Sequence, residues 1–116
     1  MNKAGTSFDK KRFLSTLGLC VRAGKILFGL PAVHEAMQKK ADSVVLVFEA
    51  ADTSDNTHKK ITDKCRFYGV RHVRVDIGGD ELAHSLGKDR FLAVVGLTDR
   101  QLSRAIEALL PEIPRI

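Results

Sequence analysis

The chain has 116 residues, of which 44% are hydrophobic and 28% charged, with a formal net charge of +5 at pH 7. These values are typical of one folded domain and exclude an intrinsically disordered chain. No apolar run approaches the roughly 20 residues that span a bilayer, and the opening seven residues lack the apolar segment of a secretory signal, so we expect a cytoplasmic protein without a membrane partner.

The first third of the chain is predicted to form a helix, a short strand and a second helix. A capping signal at residues 6–9 precedes apolar residues at helical spacing, and Gly24 is a suitable end for that helix. Pro31 suits the first turn of the next helix. The predicted elements are a helix over about 8–22, a strand over 25–28 and a helix over about 31–40.

The rest of the chain continues the alternation. Residues 43–48 are a continuous apolar run rich in valine, which predicts a strand buried on both faces and therefore central in its sheet. Thr98 and Gln101 form a capping box that opens the last helix, and Pro111 ends it. The other predicted elements are a helix over about 55–67, a strand at 70–75, a short helix around 82–86 and a strand over 91–97.

Alternating strands and helices predict an α/β fold: a three-layer α/β/α sandwich with about four strands and about five helices. No repeat, low-complexity tract or internal linker interrupts it. We therefore expect a single domain over 7–110, with loose tails at 1–6 and 111–116.

The sequence carries no recognisable catalytic or cofactor motif. It has no glycine-rich dinucleotide fingerprint, phosphate-binding loop or nucleophile elbow. Its four histidines never pair at i, i+4, and its two cysteines are too few for a disulfide framework or a four-cysteine zinc site. We predict no catalytic residue, no metal and no cofactor, and we expect the histidines at the surface or at the sheet edges.

Two clusters leave an alternative open. Cys65 lies on the apolar stripe of its helix, which favours inert packing, although Lys64 and Arg66 beside it could lower the pKa of the thiol. Asp52 and Asp55 follow the central strand, where a magnesium site could form. The acidic partners expected after the first strand are absent, which favours a capped loop.

Basic charge is concentrated in residues 1–40, which carry eight Lys and Arg side chains against two acidic ones, a net charge of +6. A basic surface is the electrostatic footprint of a polyanion partner, although it is not specific. Three loops could gather as one surface or remain ordinary solvated loops. The first loop contains Arg22, Gly24 and Lys25, and the third contains Lys88, Arg90 and Phe91. The second contains Gly29, Leu30, Pro31 and Ala32. These four residues start a helix, and the free N–H groups of a helix start suit an anion.

Residues 17–25, Leu-Gly-Leu-Cys-Val-Arg-Ala-Gly-Lys, resemble the opening of the small bacterial YlxQ-like proteins, which belong to the L7Ae superfamily of kink-turn RNA-binding proteins. Further matching segments are 44–52, 56–57, 62–65, 81–82, 86–88 and 94–99. The ordered set covers roughly residues 10–107. It implies the same sandwich with a mixed sheet, and a non-catalytic protein that binds structured or ribosomal RNA and acts at the ribosome or in translation. We expect the protein to be a monomer.

The resemblance also marks departures at the second predicted helix. The superfamily's kink-turn readers have a basic residue before the glycine, then Gly-x-Asn-Glu, then a lysine three residues later. Here these positions read Phe28, Gly29, Pro31, Ala32 and Glu35. The polar groups that would bond sheared G·A pairs are absent, and the lysine that would meet a phosphate is an acid. We therefore expect phosphate contacts without kink-turn specificity.

Within this candidate surface the residues expected to contact phosphates are Arg22, Lys25 and Lys88. Gly29 would let the backbone approach closely, and Arg90 and Phe91 would lean on an unstacked base. A different class of function stays open at this point. Residues 28–33 are unusually apolar where polar readers would lie, and an exposed apolar patch can mark a protein-interaction module that does not bind RNA.

Overall fold

The computed structural model describes residues 8–110, in which helices and strands alternate without exception. The elements are α1 (Lys10–Arg22), β1 (Ile26–Phe28), α2 (Leu30–Lys39), β2 (Leu46–Glu49), α3 (Asp55–Tyr68), β3 (Arg71–Arg74), α4 (Gly79–Ser85), β4 (Val94–Leu97) and α5 (Arg100–Glu107). The predicted α/β class, with four strands and five helices in this part of the chain, is confirmed. The predicted loose tails lie outside the described residues, and the single domain over 7–110 stays a prediction.

The four strands form one mixed sheet in the order β1-β4-β2-β3. Strand β4 runs antiparallel to both of its neighbours, whereas β2 and β3 are parallel. All residues of β2 and β4 are buried, as expected of central strands covered on both faces. The prediction that the apolar run at 43–48 lies in a central strand is therefore confirmed.

Helices cover both faces of the sheet, which gives the three layers. On one face α1, α4 and α5 pack on side chains such as Phe48, whose ring meets the Phe13 ring edge-on with centroids 5.0 Å apart. On the other face α2 and α3 pack through Val33 and Ile61 against Val47. Val47 and Phe48 lie in different cores because successive side chains of a strand point to opposite faces of the sheet.

The ends of several elements differ from their predictions. Helix α1 is capped by Asp9, whose side chain accepts the Arg12 N–H at 3.1 Å, and α5 is capped by Asp99 and not by Thr98. Strand β2 begins at Leu46, which pairs with the first residue of β3, Arg71, and with the last residue of β4, Leu97. Strand β4 begins late because the residues before it run beside α4, where the Leu92 N–H donates to the Gly79 carbonyl at 3.1 Å.

Candidate nucleic-acid interface

One end of the sheet brings together two of the three predicted loops. Strand β1 is antiparallel to β4, so β1 ends where β4 begins, and the Gly29 N–H donates to the Val94 carbonyl at 2.8 Å. The loop before β4, which contains Lys88, therefore lies beside the start of α2. We call this surface, formed by Phe28, Gly29, Leu30 and Lys88, the Gly29 edge.

Lys88 links the two loops directly. Its ammonium nitrogen lies 4.2 Å from the centroid of the Phe28 ring, within the range of a cation–π contact. Lys88 is exposed, and its N–H donates to the Ala83 carbonyl at 2.8 Å, which fixes its backbone against α4. A positive charge is thus held over the last residue of β1.

The start of α2 adds backbone donors to the same edge. Gly29 is the N-cap residue, with a positive φ of 91° that favours glycine, and no described side chain caps the helix. Pro31 has no N–H, which leaves the N–H groups of Leu30 and Ala32 as the free donors of the first turn. No acidic side chain lies in that turn. The arrangement suits an anion such as a phosphate.

Phe91 lies further along the Lys88 loop and packs on α4. A Cβ atom at Gly79 would overlap the Phe91 ring, so only glycine allows this contact. The Gly79 N–H is held by Asp52, whose Oδ1 accepts it at 2.8 Å. Phe91 remains 48% exposed, which leaves part of its ring accessible, and the neighbouring Arg90 is exposed.

The third predicted loop does not join this surface. Arg22 ends α1, and Gly24 and Lys25 precede β1, so they lie at the opposite end of the sheet, where the Lys25 carbonyl accepts the Thr98 N–H at 3.0 Å. The four residue-to-residue steps of extended chain from Lys25 to Gly29 span about 13 Å. The three residues are exposed, and we call them the Arg22 edge. The candidate residues thus form two surfaces.

Glu35 lies in the second turn of α2, where its exposed carboxylate pairs with Lys39 at 3.4 Å. It is placed on the helix that opens at the Gly29 edge, and it introduces a negative charge there. A phosphate that contacts the first turn of α2 would be repelled by this carboxylate one turn away. A lysine at the same position would attract the phosphate.

A fully buried carboxylate at the same end of the sheet as Gly29 was not predicted. Glu49 ends β2 with no exposed surface and accepts hydrogen bonds at 2.8 Å from His58 on α3 and from His72 on β3. The guanidinium of Arg74 lies 3.6 Å from the same carboxylate and donates to the Ala50 and Thr53 carbonyls. We call these four ionisable residues the Glu49 cluster. It joins β2, β3 and α3.

His72 lies on β3, an edge strand of the sheet, as expected, but its side chain is buried and only 7% exposed, which was not expected. Burial lowers the pKa of His72, an effect that the nearby Glu49 charge opposes. Burial, with Glu49 as the second cause, raises the pKa of Cys65 to about 12. Cys65 is 2% exposed and packs in the core with Ile61 and Val47, which agrees with the packing interpretation.

Stability should fall as the pH is lowered from about 6.5, the ordinary pKa of histidine, towards the lower pKa of folded His72. In that window unfolded His72 takes up a proton that the folded state disfavours, so acid promotes unfolding. Urea denaturation between about pH 8 and pH 5 measures the effect. In His72→Gln this contribution should disappear. An unchanged slope in that variant would assign the effect to another group.

No resident metal site is visible in residues 8–110, which hold no group of three or more His, Cys, Asp or Glu side chains arranged to bind one. Asp52, one of the two possible magnesium ligands, instead holds the Gly79 N–H, while Asp55 lies in the first turn of α3 after its cap residue Ser54. In the same part of the chain no helix is long and apolar enough to cross a membrane.

Comparison with known proteins identifies relatives of matching length. The model of the Ribosomal protein L7Ae/L30e/S12e/Gadd45 family matches residues 11–107. RNA-binding protein YlxQ of Bacillus subtilis is 36% identical over 94 residues, 81% of this chain and 90% of the relative. RNA-binding protein YlxQ of Enterococcus faecium is 29% identical over 103 residues, 88% and 94% of the two chains. A solved structure of a Bacillus halodurans protein of unknown function has a TM-score of 0.74 and 35% identity, covering 84% and 94%.

Proposed function

Because the chain belongs to the Ribosomal protein L7Ae/L30e/S12e/Gadd45 family, we propose that it is a small, non-catalytic RNA-binding protein of the YlxQ kind. We further propose that it acts in the cytoplasm as a monomer, at the ribosome or in translation. The observation that carries the proposal is the meeting of Lys88 with the free N–H groups of α2 at the Gly29 edge. The names of the relatives support RNA as the polyanion.

The Gly29 edge binds the RNA backbone in this proposal. Lys88 attracts a phosphate, the Leu30 and Ala32 N–H groups donate to its oxygens, and the missing side chain at Gly29 lets the strand approach. Pro31 and the Ala32 side chain offer no polar group to a base. Recognition therefore depends on the phosphates and on RNA shape, with the exposed part of Phe91, beside Arg90, available for stacking.

The Arg22 edge provides a second set of phosphate contacts at the far end of the sheet. Arg22 and Lys25 are exposed and make no ion pair with any residue in 8–110. Because about 13 Å of extended chain separates this edge from Gly29, one phosphate cannot contact both edges. The two sets should contribute independently to affinity.

The protein-interaction alternative receives less support from the structure. Val33 is fully buried in the core between α2 and the sheet, and Phe28 is partly buried beneath Lys88. Pro31 is the one exposed residue of the 28–33 patch, and the others are half-buried or buried. The patch therefore offers a protein partner little of the continuous apolar surface that its sequence suggests.

Charge reversal tests the proposal. Lys88→Glu should weaken binding of a structured RNA and lower the slope of log Kd against log salt by about one, because one phosphate contact is lost. Arg22→Glu with Lys25→Glu should lower the slope by about two. Filter binding or fluorescence anisotropy over a salt series measures both effects.

Arg104→Glu is the matched control, because Arg104 is exposed on α5 and makes no ion pair within the described range. It changes the net charge by the same amount as Lys88→Glu but should leave the salt slope unchanged. Equal losses in the two variants would show that only overall charge matters. RNA that fails to bind the parent protein at low salt would refute the function itself.

A further inference from the structure

A wide groove between α2 and α3 lies outside both candidate edges. It is lined by His34 on α2 and by Asp63, Lys64, Phe67 and Tyr68 on α3, with a volume of about 360 Å³. Phe67 is 81% exposed, the highest value among the large hydrophobic side chains that the structure describes as exposed. Its ring meets that of Tyr68 at 84°, with centroids 4.8 Å apart. The groove therefore presents an aromatic face to solvent.

The position of Phe67 follows from the helical period. Ile61, Cys65 and Tyr68 form the inward stripe of α3. Phe67 falls beside that stripe, on the face that also carries Lys60 and Lys64 at i−7 and i−3. The aromatic ring is thus interleaved with two cations along one helix surface.

The charge of the groove is positive because its acids are already paired. Asp63 binds Lys59 at 3.0 Å, and Glu35 on the neighbouring helix binds Lys39. Lys64, which lines the groove, and Lys60, which lies one turn before it on α3, make no ion pair within residues 8–110. Exposed aromatic rings among unpaired cations are the pattern by which proteins hold single-stranded nucleic acid, with rings stacking on bases and cations tracking phosphates.

One residue of the groove lining, His34, lies close to the Gly29 edge along α2. His34 lies three residues after Pro31 on α2, so the two side chains are neighbours on the helix surface. An RNA strand that contacts the first turn of α2 needs to advance by about one helical turn, roughly 5 Å, to reach His34. The same strand can therefore occupy both surfaces.

We propose that the α2–α3 groove is a stacking site for unpaired bases of the RNA, with Phe67 as the platform and Lys60 and Lys64 as phosphate contacts. The inference rests on the proposed RNA-binding function and adds the class of RNA that the protein prefers: RNA with a single-stranded segment next to structured backbone. Binding in the groove requires accessible base faces, so a fully paired duplex can use the Gly29 edge but not Phe67.

The chain contains a single tyrosine and no tryptophan, which makes Tyr68 an intrinsic fluorescent reporter inside the groove. Titration with an oligoadenosine should change the tyrosine emission after correction for absorbance. A blunt-ended RNA duplex of matched length, in which all bases are paired, should bind at low salt without that change. Oligoadenosine that binds without altering the emission would count against the groove while leaving RNA binding intact.

Substitutions at Phe67 separate stacking from simple apolar contact. Phe67→Ala should weaken oligoadenosine binding about 5- to 150-fold, the range expected for one stacked base, and leave duplex binding unchanged. Phe67→Tyr keeps an aromatic ring and should bind like the parent, whereas Phe67→Leu keeps apolar bulk and should bind like Phe67→Ala. The side chain is exposed, so these variants should fold normally.

The outcomes are distinguishable. If no RNA binds the parent, the proposed function fails. If RNA binds but Phe67→Ala is equal to the parent, the stacking site is wrong, and the exposed ring is left as a contact for a protein partner. If Phe67→Leu binds like the parent, the contact is apolar and does not require stacking, which also overturns the proposal.

Discussion

Glu49→Ala should lower the free energy of unfolding by about 1–3 kcal/mol, the usual cost of leaving a buried hydrogen-bonding group without its partner. The substitution leaves the His72 and His58 ring nitrogens without their shared acceptor at 2.8 Å and removes the carboxylate that faces Arg74. It also opens space at the end of a central strand. Urea denaturation at pH 7 measures the loss.

Glu107→Ala is the matched control for this prediction. It removes the carboxylate that pairs with Arg71 at 2.6 Å, but both side chains of that pair are about one-third exposed. Such a pair should contribute no more than about 1 kcal/mol. Glu49→Gln, which keeps the volume but offers one acceptor oxygen, should fall between the two. A loss of less than about 1 kcal/mol for Glu49→Ala would show that the cluster contributes little to stability.

The parent protein should bind a kink-turn RNA little better than a bulged duplex, and Pro31→Asn, Ala32→Glu and Glu35→Lys together should create a preference. The first two substitutions add an amide and a carboxylate for the sheared G·A pairs, and the third replaces a repulsive charge. Two base contacts of at least about 1 kcal/mol each, a scale taken from DNA grooves, correspond to about 30-fold.

Titration of parent and triple variant against both RNAs gives the result directly. Pro31 and Glu35 are exposed and Ala32 is half-buried, so the variant should fold. The bulged duplex serves as the reference for phosphate binding, which Ala32→Glu should weaken and Glu35→Lys should strengthen. If the parent already prefers the kink-turn more than about tenfold, the interpretation of these positions is wrong, and the backbone of the Gly29 edge reads the RNA.

The order of elements was predictable because each helix or strand has a clear apolar period. One part of the site was also decidable from the same information. Lys25 begins a single predicted strand and Gly29 directly follows it, so the two residues had to lie at opposite ends of the sheet. The sequence alone could not predict that Gly29 and the Lys88 loop lie side by side. Their proximity depends on the antiparallel pairing of β4 with β1, which are far apart in sequence.

The Glu49 cluster required knowledge of the strand register. Glu49 lies opposite Arg74, and Val47 opposite His72, only in the parallel pairing of β2 with β3. Nothing in the local sequence of either strand specifies that partner. Phe67, by contrast, is two residues from both Cys65 and Gly69, off the inward stripe of its helix, so its exposure follows from the 3.6-residue period alone.

The contact between Lys88 and Phe28 has a consequence for the energetics of association. A lysine that becomes ordered loses up to about 1.5–2 kcal/mol of rotamer entropy. The Lys88 ammonium already lies 4.2 Å from the Phe28 ring centroid, so part of its freedom is lost when the protein folds. A phosphate arriving at this edge meets a preorganised cation, and less of the electrostatic attraction is consumed in immobilising the side chain.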